Sequence, residues 1–354
     1  MAAPKTFKVG LIYFNEEFGK HLENRLNSQE PFLNTKSELV ELKAEHVAIH
    51  EIGLDFEPSY QMLIDRASHY FKHSMGVLMM SSYKGVRVVN NPMSFHYFIA
   101  NKDLGFYVAH QLGVNVPPTY VLPPKKTKYL KTAEDFRHHR VFDWQKMVDD
   151  VGFPCILKPA EGRAAFHVSK ARNINELWQQ YDGSEERIMT LQEMVPSNDD
   201  WQIRCICVGR SIIPIKYIFR ENDASEYIFE EGFLSLEQGE KVVNMARVIN
   251  RAFGYEMNSV EFILDKDGEP WAIDFNNPVP DARREKLGDV FYNDYAEAFV
   301  RLARETAMEG ETAPYLPHLN DYAEIARRDI PREERFEEAL NLANSYYEKF
   351  DQVS

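Results

Sequence analysis

Cysteine is scarce in this chain, which contains only Cys155, Cys205 and Cys207 among its 354 residues. Three cysteines are too few for a disulfide framework, so the sequence favours a reducing compartment and small core roles for the thiols. Long apolar runs are also missing, because no stretch approaches the roughly 20 residues that a membrane helix needs. The opening residues, MAAPKTFKVG, lack the charged start and apolar run of an export signal. We therefore expect a cytoplasmic protein without a membrane segment.

Basic residues are outnumbered, since Lys and Arg total 41 against 55 Asp and Glu, a formal charge of −14. Such a charge repels phosphate backbones and anionic membranes, so neither nucleic acid nor a membrane surface is an expected partner. Hydrophobic residues make up 44% and aromatic residues 13%, which excludes a mainly disordered chain. At roughly 100 to 200 residues per domain, this length predicts two or three domains.

The order of apolar segments predicts an α/β fold. Residues 8–14, 47–52 and 86–89 are β-rich runs and residues 60–71 have helical spacing, which together indicate a small parallel sheet. A helix follows over residues 94–112, with Gly113 as its stop signal. Strands then alternate with helices as far as residue 307. The later predicted elements are a helix over 143–150, strands over 155–158, 186–194, 203–208 and 212–219, a helix over 236–253, a hairpin over 259–275, and helices over 289–306 and 333–350.

The hairpin over residues 259–275 carries the first candidate site. Asp267-Gly268 between two alternating runs signals a two-residue turn, and counting outward from it places Glu261 directly opposite Asp274. Asn276 then lies on the same face. The alternate positions point into a core: Val260, Phe262, Leu264, Trp271, Ile273 and Phe275. Two facing carboxylates repel unless a cation binds between them, so this face predicts a Mg²⁺-nucleotide site. The alternative is a solvated face with unrelated acids.

Cations follow on other β-rich segments. Lys158 ends a short apolar strand, and a cation at that place must face a cleft or an anion. Residues 160–168 come next, as a flap between two strands would, and Arg204 and Lys216 lie on two later strands. Together with the acids, these cations suggest a triphosphate site. Taken alone, a lysine at a strand end is more commonly an edge residue with its charged head in water.

In this order the elements resemble the ATP-grasp superfamily, the fold of glutathione synthetase, D-alanine:D-alanine ligase and the ribosomal-protein glutamate ligases. The resemblance covers about residues 93–305. It implies a mixed α/β (α+β) chain in which a small parallel-sheet domain, residues 1–92, precedes the ATP-grasp domain. That domain would comprise an N-terminal lobe with linker and flap, residues 93–195, and a C-terminal lobe with the metal site, residues 196–307. A helical extension, residues 308–354, would follow.

The resemblance also implies roles for individual residues. The residues that would contact the nucleotide phosphates are Lys102, Lys158, Arg204 and Lys216. The hinge that would pair with adenine comprises Gln192, Glu193 and Val195, and the ribose would contact Asp200 or Gln202. The magnesium ligands would be Glu261, Asp274 and Asn276.

Two features depart from the superfamily pattern. Its flap is usually rich in glycine, whereas Gly162 is the only glycine between Lys158 and Ser169, so closure would rely on side chains such as Arg163. Glutamate is also common where this chain has Asp274, and the shorter side chain makes bidentate bridging of two ions less assured.

The activity that the resemblance implies is an ADP-forming ligation of a carboxylate to an amine or a thiol. The carboxylate would attack the γ-phosphate of ATP, and the acceptor would then capture the acyl phosphate. The cofactors would be ATP and Mg²⁺, with two ions bound and Mn²⁺ as a substitute. The residues expected to act in catalysis are Lys158, Arg204, Lys216 and Arg283.

Two alternatives stay open. A phosphotransferase of the same fold would pass the γ-phosphate to a hydroxyl group, and a regulatory module would bind ATP without turnover. The expected partners are small carboxylates and amines, such as an amino acid or a peptide. A homodimer is left open, because members of the superfamily are often dimers.

Three further clusters have both a functional and a structural interpretation. Arg66 would hold a substrate carboxylate or belong to an amphipathic helix face. Arg283 and Arg284, close after the metal ligands, suit an anionic substrate or a surface loop. The pair His138-His139 is better explained as a solvated surface pair.

Overall fold

The computed structural model describes residues 3–13, 17–48, 52–53, 55–68, 71, 73–94, 101–126, 142–161, 168–220, 224–310 and 319–351. The flap residues 162–167 and the pair His138-His139 lie outside the described residues. The predicted domain boundaries at residues 92, 195 and 307 stay predictions.

The N-terminal part of the chain folds into a mainly parallel sheet. Its elements are β1 (Lys5–Ile12), α1 (Glu17–Asn27), β2 (Phe32–Leu33), β3 (Leu39–His46), β4 (Met62–Asp65), α2 (His73–Tyr83) and β5 (Arg87–Val89). The strands lie in the order β2-β3-β1-β4-β5, and only β2 runs antiparallel to its neighbour. The predicted small parallel sheet is confirmed.

Two predictions for this sheet are wrong in position. The strand that pairs with β1 after α1 is β3 rather than residues 47–52, of which 49–51 lie outside the described residues. In β3, Val40, Leu42 and Ala44 alternate with more exposed residues. Residues 60–71, predicted to be helical, contain β4, whose four residues are all buried between β1 and β5. A strand covered on both faces carries a continuous apolar run, so spacing alone does not distinguish it from a helix.

A second, antiparallel sheet follows. Its elements and flanking helices are α3 (Lys102–Gln111), β6 (Thr119–Leu122), α4 (Trp144–Val151), β7 (Cys155–Pro159), β8 (Ser169–Ala171), α5 (Ile174–Asp182) and β9 (Met189–Glu193). The strand order is β6-β9-β7-β8. One face packs against α4 and α5 through an apolar cluster that includes Leu157, Leu177 and Leu191. The other face carries the polar side chains of Thr119, Lys158, Thr190 and Gln192.

A third sheet and the remaining helices complete the described chain. They are β10 (Gln202–Val208), β11 (Ser211–Ile218), β12 (Glu226–Ile228), α6 (Leu236–Phe253), β13 (Met257–Leu264), β14 (Pro270–Asn277), α7 (Arg284–Glu309), α8 (Leu319–Ala326) and α9 (Arg332–Asp351). The strand order is β12-β11-β10-β13-β14, all antiparallel. The predicted helix over residues 236–253 is confirmed, with Ser235 and Gln238 forming a capping box and Gly254 ending it in the left-handed conformation.

The two faces of the third sheet have different coverings. Helix α6 packs on one face, where Val260 and Phe262 join its apolar residues. Helix α7 packs on the other and shares a core with the N-terminal sheet through Tyr295 and Phe299. The part of this second face that α7 does not cover lies toward the second sheet and carries polar side chains. That region contains the candidate site.

The hairpin β13–β14 has the predicted pair but a different turn. The Asp265 N–H donates to the Glu269 carbonyl at 2.9 Å and the Gly268 N–H to the Asp265 carbonyl at 3.0 Å, so the loop is longer than two residues. Gly268 has a φ of 84°, which favours glycine. A register shift between Glu261 and Phe262 then restores Glu261 opposite Asp274. The longer turn places Ala272 opposite Phe262 in the core, so the predicted core positions Trp271 and Ile273 are only half-buried.

All three cysteines are free and buried, as the sequence analysis expected of small core residues. Burial raises the pKa of the Cys155 thiol to about 11 and that of Cys207 to about 12, so both stay protonated at neutral pH. Within the described ranges, none of the helices has the length and apolar character required to cross a membrane.

Candidate nucleotide and metal site

Three neighbouring strands of the third sheet place charged side chains side by side. Arg204 on β10 lies opposite Glu261 on β13, and Glu261 lies opposite Asp274 on β14. Directly opposed residues of antiparallel strands project from the same face. The Arg204 guanidinium donates a hydrogen bond to Oε1 of Glu261, and Nζ of Lys102 lies 3.4 Å from Oδ2 of Asp274. Each acid therefore has a cationic partner.

Lys158 reaches this row from the second sheet. Its Nζ donates hydrogen bonds to Oε1 of Gln192 at 2.9 Å and to the Ile273 carbonyl oxygen at 3.1 Å. Ile273 lies between the paired residues Ala272 and Asp274, where the register shift takes a backbone group out of the ladder. The ammonium also lies 4.5 Å from the centroid of the Phe106 ring. Lys158 thus joins the second sheet to the third.

Burial and mutual charge shift the pKa values in this group. Burial and the neighbouring Lys102 charge lower the pKa of Lys158 to about 8, although Asp274 and Glu261 act in the opposite direction. Burial raises the pKa of Glu261, with Arg204 opposing. Burial would also raise the pKa of Asp274, but Lys102 and Lys158 hold it below its ordinary value. Three cations facing two acids leave an excess positive charge, which favours an added anion.

Two tyrosines that the sequence analysis missed hold Arg204 in place. Its guanidinium carbon lies 4.0 Å from the Tyr217 ring centroid, and its NH1 group donates to the Tyr227 hydroxyl at 2.8 Å. Burial raises the pKa of Tyr227 to about 12, so the hydroxyl stays protonated. The available sequence signal was strand alternation, because Tyr217 lies opposite Gln202 on the face that carries Arg204.

Lys216 was predicted to contact the nucleotide phosphates with Arg204, but the structure does not bring it to this group. Lys216 lies opposite Ile203, whose side chain is in the core on the α6 side, whereas Arg204 projects from the other face. Its Nζ donates to Oε2 of Glu230 at 2.7 Å and lies 5.1 Å from the Trp201 ring centroid. This geometry does not support a phosphate contact by Lys216.

Arg283 lies in the loop after β14 and is engaged by a neighbour. Its guanidinium makes an ion pair with Asp281, with NH2 and Oδ2 2.6 Å apart. Asp281 is close enough to Tyr227 to contribute to raising the pKa of that tyrosine. The loop therefore borders the Arg204 side of the row, but Arg283 would have to leave Asp281 to contact a substrate.

The predicted adenine hinge lies at the end of β9, an inner strand of the second sheet. The Glu193 N–H donates to the Pro118 carbonyl at 3.0 Å, and burial raises the pKa of the Glu193 carboxyl. Val195 is buried beside it. Of the two predicted ribose residues, Asp200 is exposed and Gln202 is half-buried at the start of β10. The contacts of these residues with a nucleotide stay predictions.

Arg66 is a structural residue, so the suggestion that it holds a substrate carboxylate is wrong. Its side chain is buried, with NH1 donating to the Tyr295 hydroxyl at 2.8 Å and NH2 to the Pro280 carbonyl at 3.1 Å. The guanidinium also lies 5.2 Å from the Phe18 ring centroid. Arg66 joins the N-terminal sheet to α7 and to the loop after β14.

The donor atoms of Glu261, Asp274 and Asn276 fit a hard divalent cation. Two half-buried carboxylates face each other and a buried amide follows on β14, and such oxygens are the ligands that Mg²⁺ prefers together with substrate phosphates. In the part of the chain that the structure describes, no group of three or more His, Cys, Asp or Glu is placed to hold a metal. A third protein oxygen would therefore come from Asn276.

Helix α3 approaches Asn276 at Gly105. A β-carbon built at this glycine would lie 3.1 Å from Oδ1 of Asn276 and 3.3 Å from Cε2 of Phe275, which is tighter than ordinary contact. We predict that Gly105→Ala lowers turnover about 10-fold by displacing Asn276, while the helix itself gains up to about 1 kcal/mol in propensity. Steady-state kinetics together with thermal unfolding test this. Gly76→Ala on α2, where a β-carbon meets nothing within 4 Å, is the control.

Comparison with known proteins identifies the fold. Residues 128–280 match the family model described as a RimK-like ATP-grasp domain. No curated protein sequence matches the chain. A RimK domain ATP-grasp protein from Sphaerobacter thermophilus has a TM-score of 0.55 and 15% sequence identity, covering 84% of this chain and 99% of that chain. Residues 128–280 therefore match an ATP-grasp domain, and the resemblance to the ATP-grasp superfamily is confirmed.

Other solved structures share the fold. D-alanine–D-alanine ligase from Bacillus anthracis, solved with ATP, has a TM-score of 0.55 and 14% identity, covering 86% of this chain and 100% of that chain. The macrocyclase MdnC from Microcystis aeruginosa, bound with the precursor peptide MdnA, has a TM-score of 0.55 and 13% identity, covering 85% and 99%. At these identities the likeness concerns the fold alone, so the activity must be argued from the site.

Proposed function

We propose that this protein is an ATP-dependent ligase that activates a carboxylate as an acyl phosphate, transfers it to an amine or thiol, and releases ADP and phosphate. The observation that carries the proposal is the row of Arg204, Glu261 and Asp274 on three strands, met by Lys102 and Lys158 from outside the sheet. Such a mixed cluster can exchange its internal ion pairs for contacts with a metal and a triphosphate. A partly buried cluster of five charged side chains gains little stability from its ion pairs, because the cost of removing charges from water offsets their attraction.

Each charged residue has a distinct proposed role. Glu261, Asp274 and Asn276 would hold Mg²⁺, which supplies charge neutralisation at the transferring phosphoryl group. Lys158 and Lys102 would bind phosphate oxygens of the nucleotide, and Arg204, fixed by its tyrosines, would stabilise the charge that develops during transfer. No nucleophilic side chain is required, because positioning and electrostatics suffice for this chemistry.

The bonds change in two steps. A substrate carboxylate oxygen attacks the γ-phosphorus and the bond to the ADP oxygen breaks, giving the acyl phosphate. The acceptor nitrogen then attacks the acyl carbon, loses a proton, and phosphate leaves. Adenine would lie against the hinge formed by Gln192, Glu193 and Val195.

The substrate class is proposed from the loop that borders Arg204. Arg283, exchanging Asp281 for an anion, would contact the substrate carboxylate or the acyl phosphate. An amino acid or peptide is the favoured substrate, which agrees with a structural neighbour bound to a precursor peptide.

Formation of hydroxamate tests the proposal. Purified protein would be incubated with Mg-ATP, hydroxylamine and pools of amino acids, peptides and small carboxylic acids, while ADP and AMP are measured in parallel. Hydroxamate together with ADP is the expected result and would also name the carboxylate. ADP release that depends on a pool member without hydroxamate would favour phosphotransfer to a hydroxyl. Tight ATP binding without any turnover would favour a regulatory module.

A further inference from the structure

Gln192 has a buried side chain that the hinge role does not explain. It lies on β9 on the same face as Thr190, opposite the apolar face of Met189 and Leu191. Only 3% of its surface is exposed. A buried amide costs free energy unless both of its ends are hydrogen bonded, so the partners at its two ends indicate what it does.

Both ends of the Gln192 amide have partners. Nε2 donates to Oγ1 of Thr119 at 2.8 Å, and Oε1 accepts from Nζ of Lys158 at 2.9 Å. The Thr119 hydroxyl itself donates to the Pro117 carbonyl at 2.8 Å, so its proton is used and it can only accept from Gln192. The amide is therefore oriented with its oxygen toward the ammonium.

The strand register makes this arrangement rigid. Thr119 on β6 lies directly opposite Gln192, and Lys158 on β7 lies opposite Thr190, two residues away on the same face. The three side chains form a row across β6, β9 and β7. A lysine has four rotatable methylenes, so its ammonium stays at one place only when fixed partners hold it.

Lys158 is held from two sheets. Gln192 holds its ammonium from the second sheet, and the Ile273 carbonyl holds it from the third. An ammonium has three N–H donors, so two of them serve these acceptors and the third can serve a ligand oxygen. Without Gln192 the ammonium would be anchored to the third sheet alone.

We propose that Gln192 is a positioning residue, which through Thr119 and its own side-chain amide holds the Lys158 ammonium where it meets the outer phosphates of the nucleotide. This inference rests on the proposed function, because it needs a nucleotide in the site. It assigns the side chain a task separate from any contact between the hinge backbone and adenine.

The test compares Gln192→Leu with the wild type in binding Mg-ATP and AMP by calorimetry. Both nucleotides carry the same adenosine and α-phosphate, so the ratio of their affinities isolates the contacts with the outer phosphates. We expect this ratio to fall about 10- to 100-fold, which is the effect of losing one hydrogen bond to a charged group. The affinity for AMP should be unchanged. Where turnover is present, kcat should fall with the ratio.

Thr119→Val supplies a second, independent variant. It removes the acceptor that orients the amide, so the ATP-to-AMP ratio should fall about 3- to 10-fold. In the Gln192→Leu background it should have no further effect, because Thr119 acts through Gln192. Thr190→Val is the matched control, since its Oγ1 donates to the Lys158 carbonyl at 3.1 Å rather than contacting the ammonium. This control should leave the ratio within about twofold.

Two outcomes would overturn the inference. If the affinities for ATP and AMP fell in parallel, Gln192 would have a structural role. If the effects of Gln192→Leu and Thr119→Val were additive, Thr119 would not act through Gln192. Failure of the proposed function looks different: the wild type would bind Mg-ATP without turning over any carboxylate, and the affinity ratio would still report on Gln192.

Discussion

Asp274→Asn is expected to lower ATP-dependent turnover at least about 100-fold, the size of effect that loss of one preorganised charged or hydrogen-bonding group in an active site produces. The amide has nearly the same shape as the carboxylate, so packing is kept. It cannot balance the Lys102 ammonium 3.4 Å away, nor act as an anionic ligand of Mg²⁺. The measurement is ADP release at saturating ATP across a range of Mg²⁺ concentrations, because the variant should also require more Mg²⁺.

The matched control is Glu269→Gln, which removes one acidic charge from the same hairpin. Glu269 is half exposed and pairs with Lys241 at 2.7 Å, and pairs of this kind contribute roughly 0–1 kcal/mol. Turnover of this control should stay within about twofold of the wild type. If both variants lost turnover to a similar extent, the effect would come from the charge of the hairpin in general. If Asp274→Asn kept its turnover, Asp274 would not belong to the site. Thermal unfolding verifies that both variants are folded.

A turn signal and strand alternation located the hairpin, but the predicted Glu261–Asp274 pair is correct only because two departures from the assumed register cancel. The prediction assumed a two-residue turn, whereas the turn is longer and a register shift at Glu261 compensates for it. A bulge cannot be predicted reliably from one sequence, because whether it stabilises a sheet depends on which residues of the partner strand lie opposite it. The same shift frees the Ile273 carbonyl for Lys158, a contact that no motif could have indicated.

Predictions failed where the answer depends on distant parts of the chain. Lys216 and Arg204 both lie on β-rich segments, but only the pairing of β10 with β11 decides that they project from opposite faces. From the sequence, Arg66 could belong to an amphipathic helix face or hold a carboxylate, and only the contacts with α7 and the loop after β14 show what it does. Alternation reports which residues share a face, and tertiary packing decides what that face meets.

Glu256→Gln is expected to reduce the free energy of unfolding by about 3 kcal/mol, because it removes the anion that two buried guanidinium groups share. Oε1 of Glu256 lies 2.7 Å from NH2 of Arg87 and 3.2 Å from NH1 of Arg251, and it also accepts from the Tyr346 hydroxyl at 3.2 Å. These partners come from β5, α6 and α9, so one carboxylate joins three separate parts of the chain. Chemical denaturation measures the loss, and Glu57→Gln, in an exposed pair with Lys84, is the control that should change by less than about 1 kcal/mol.

The pH dependence gives this prediction a second, independent check. Burial would raise the pKa of Glu256, but Arg87 and Arg251 hold it below the ordinary value of 4.5. A carboxyl whose pKa is lowered by folding contributes its full stability above the unfolded value and loses it as the pH falls through the folded one. The difference between wild type and Glu256→Gln should therefore be constant from about pH 6 to 8 and shrink below about pH 4.5. A difference that persists unchanged in acid would mean that the shape of the side chain, rather than its charge, joins β5, α6 and α9.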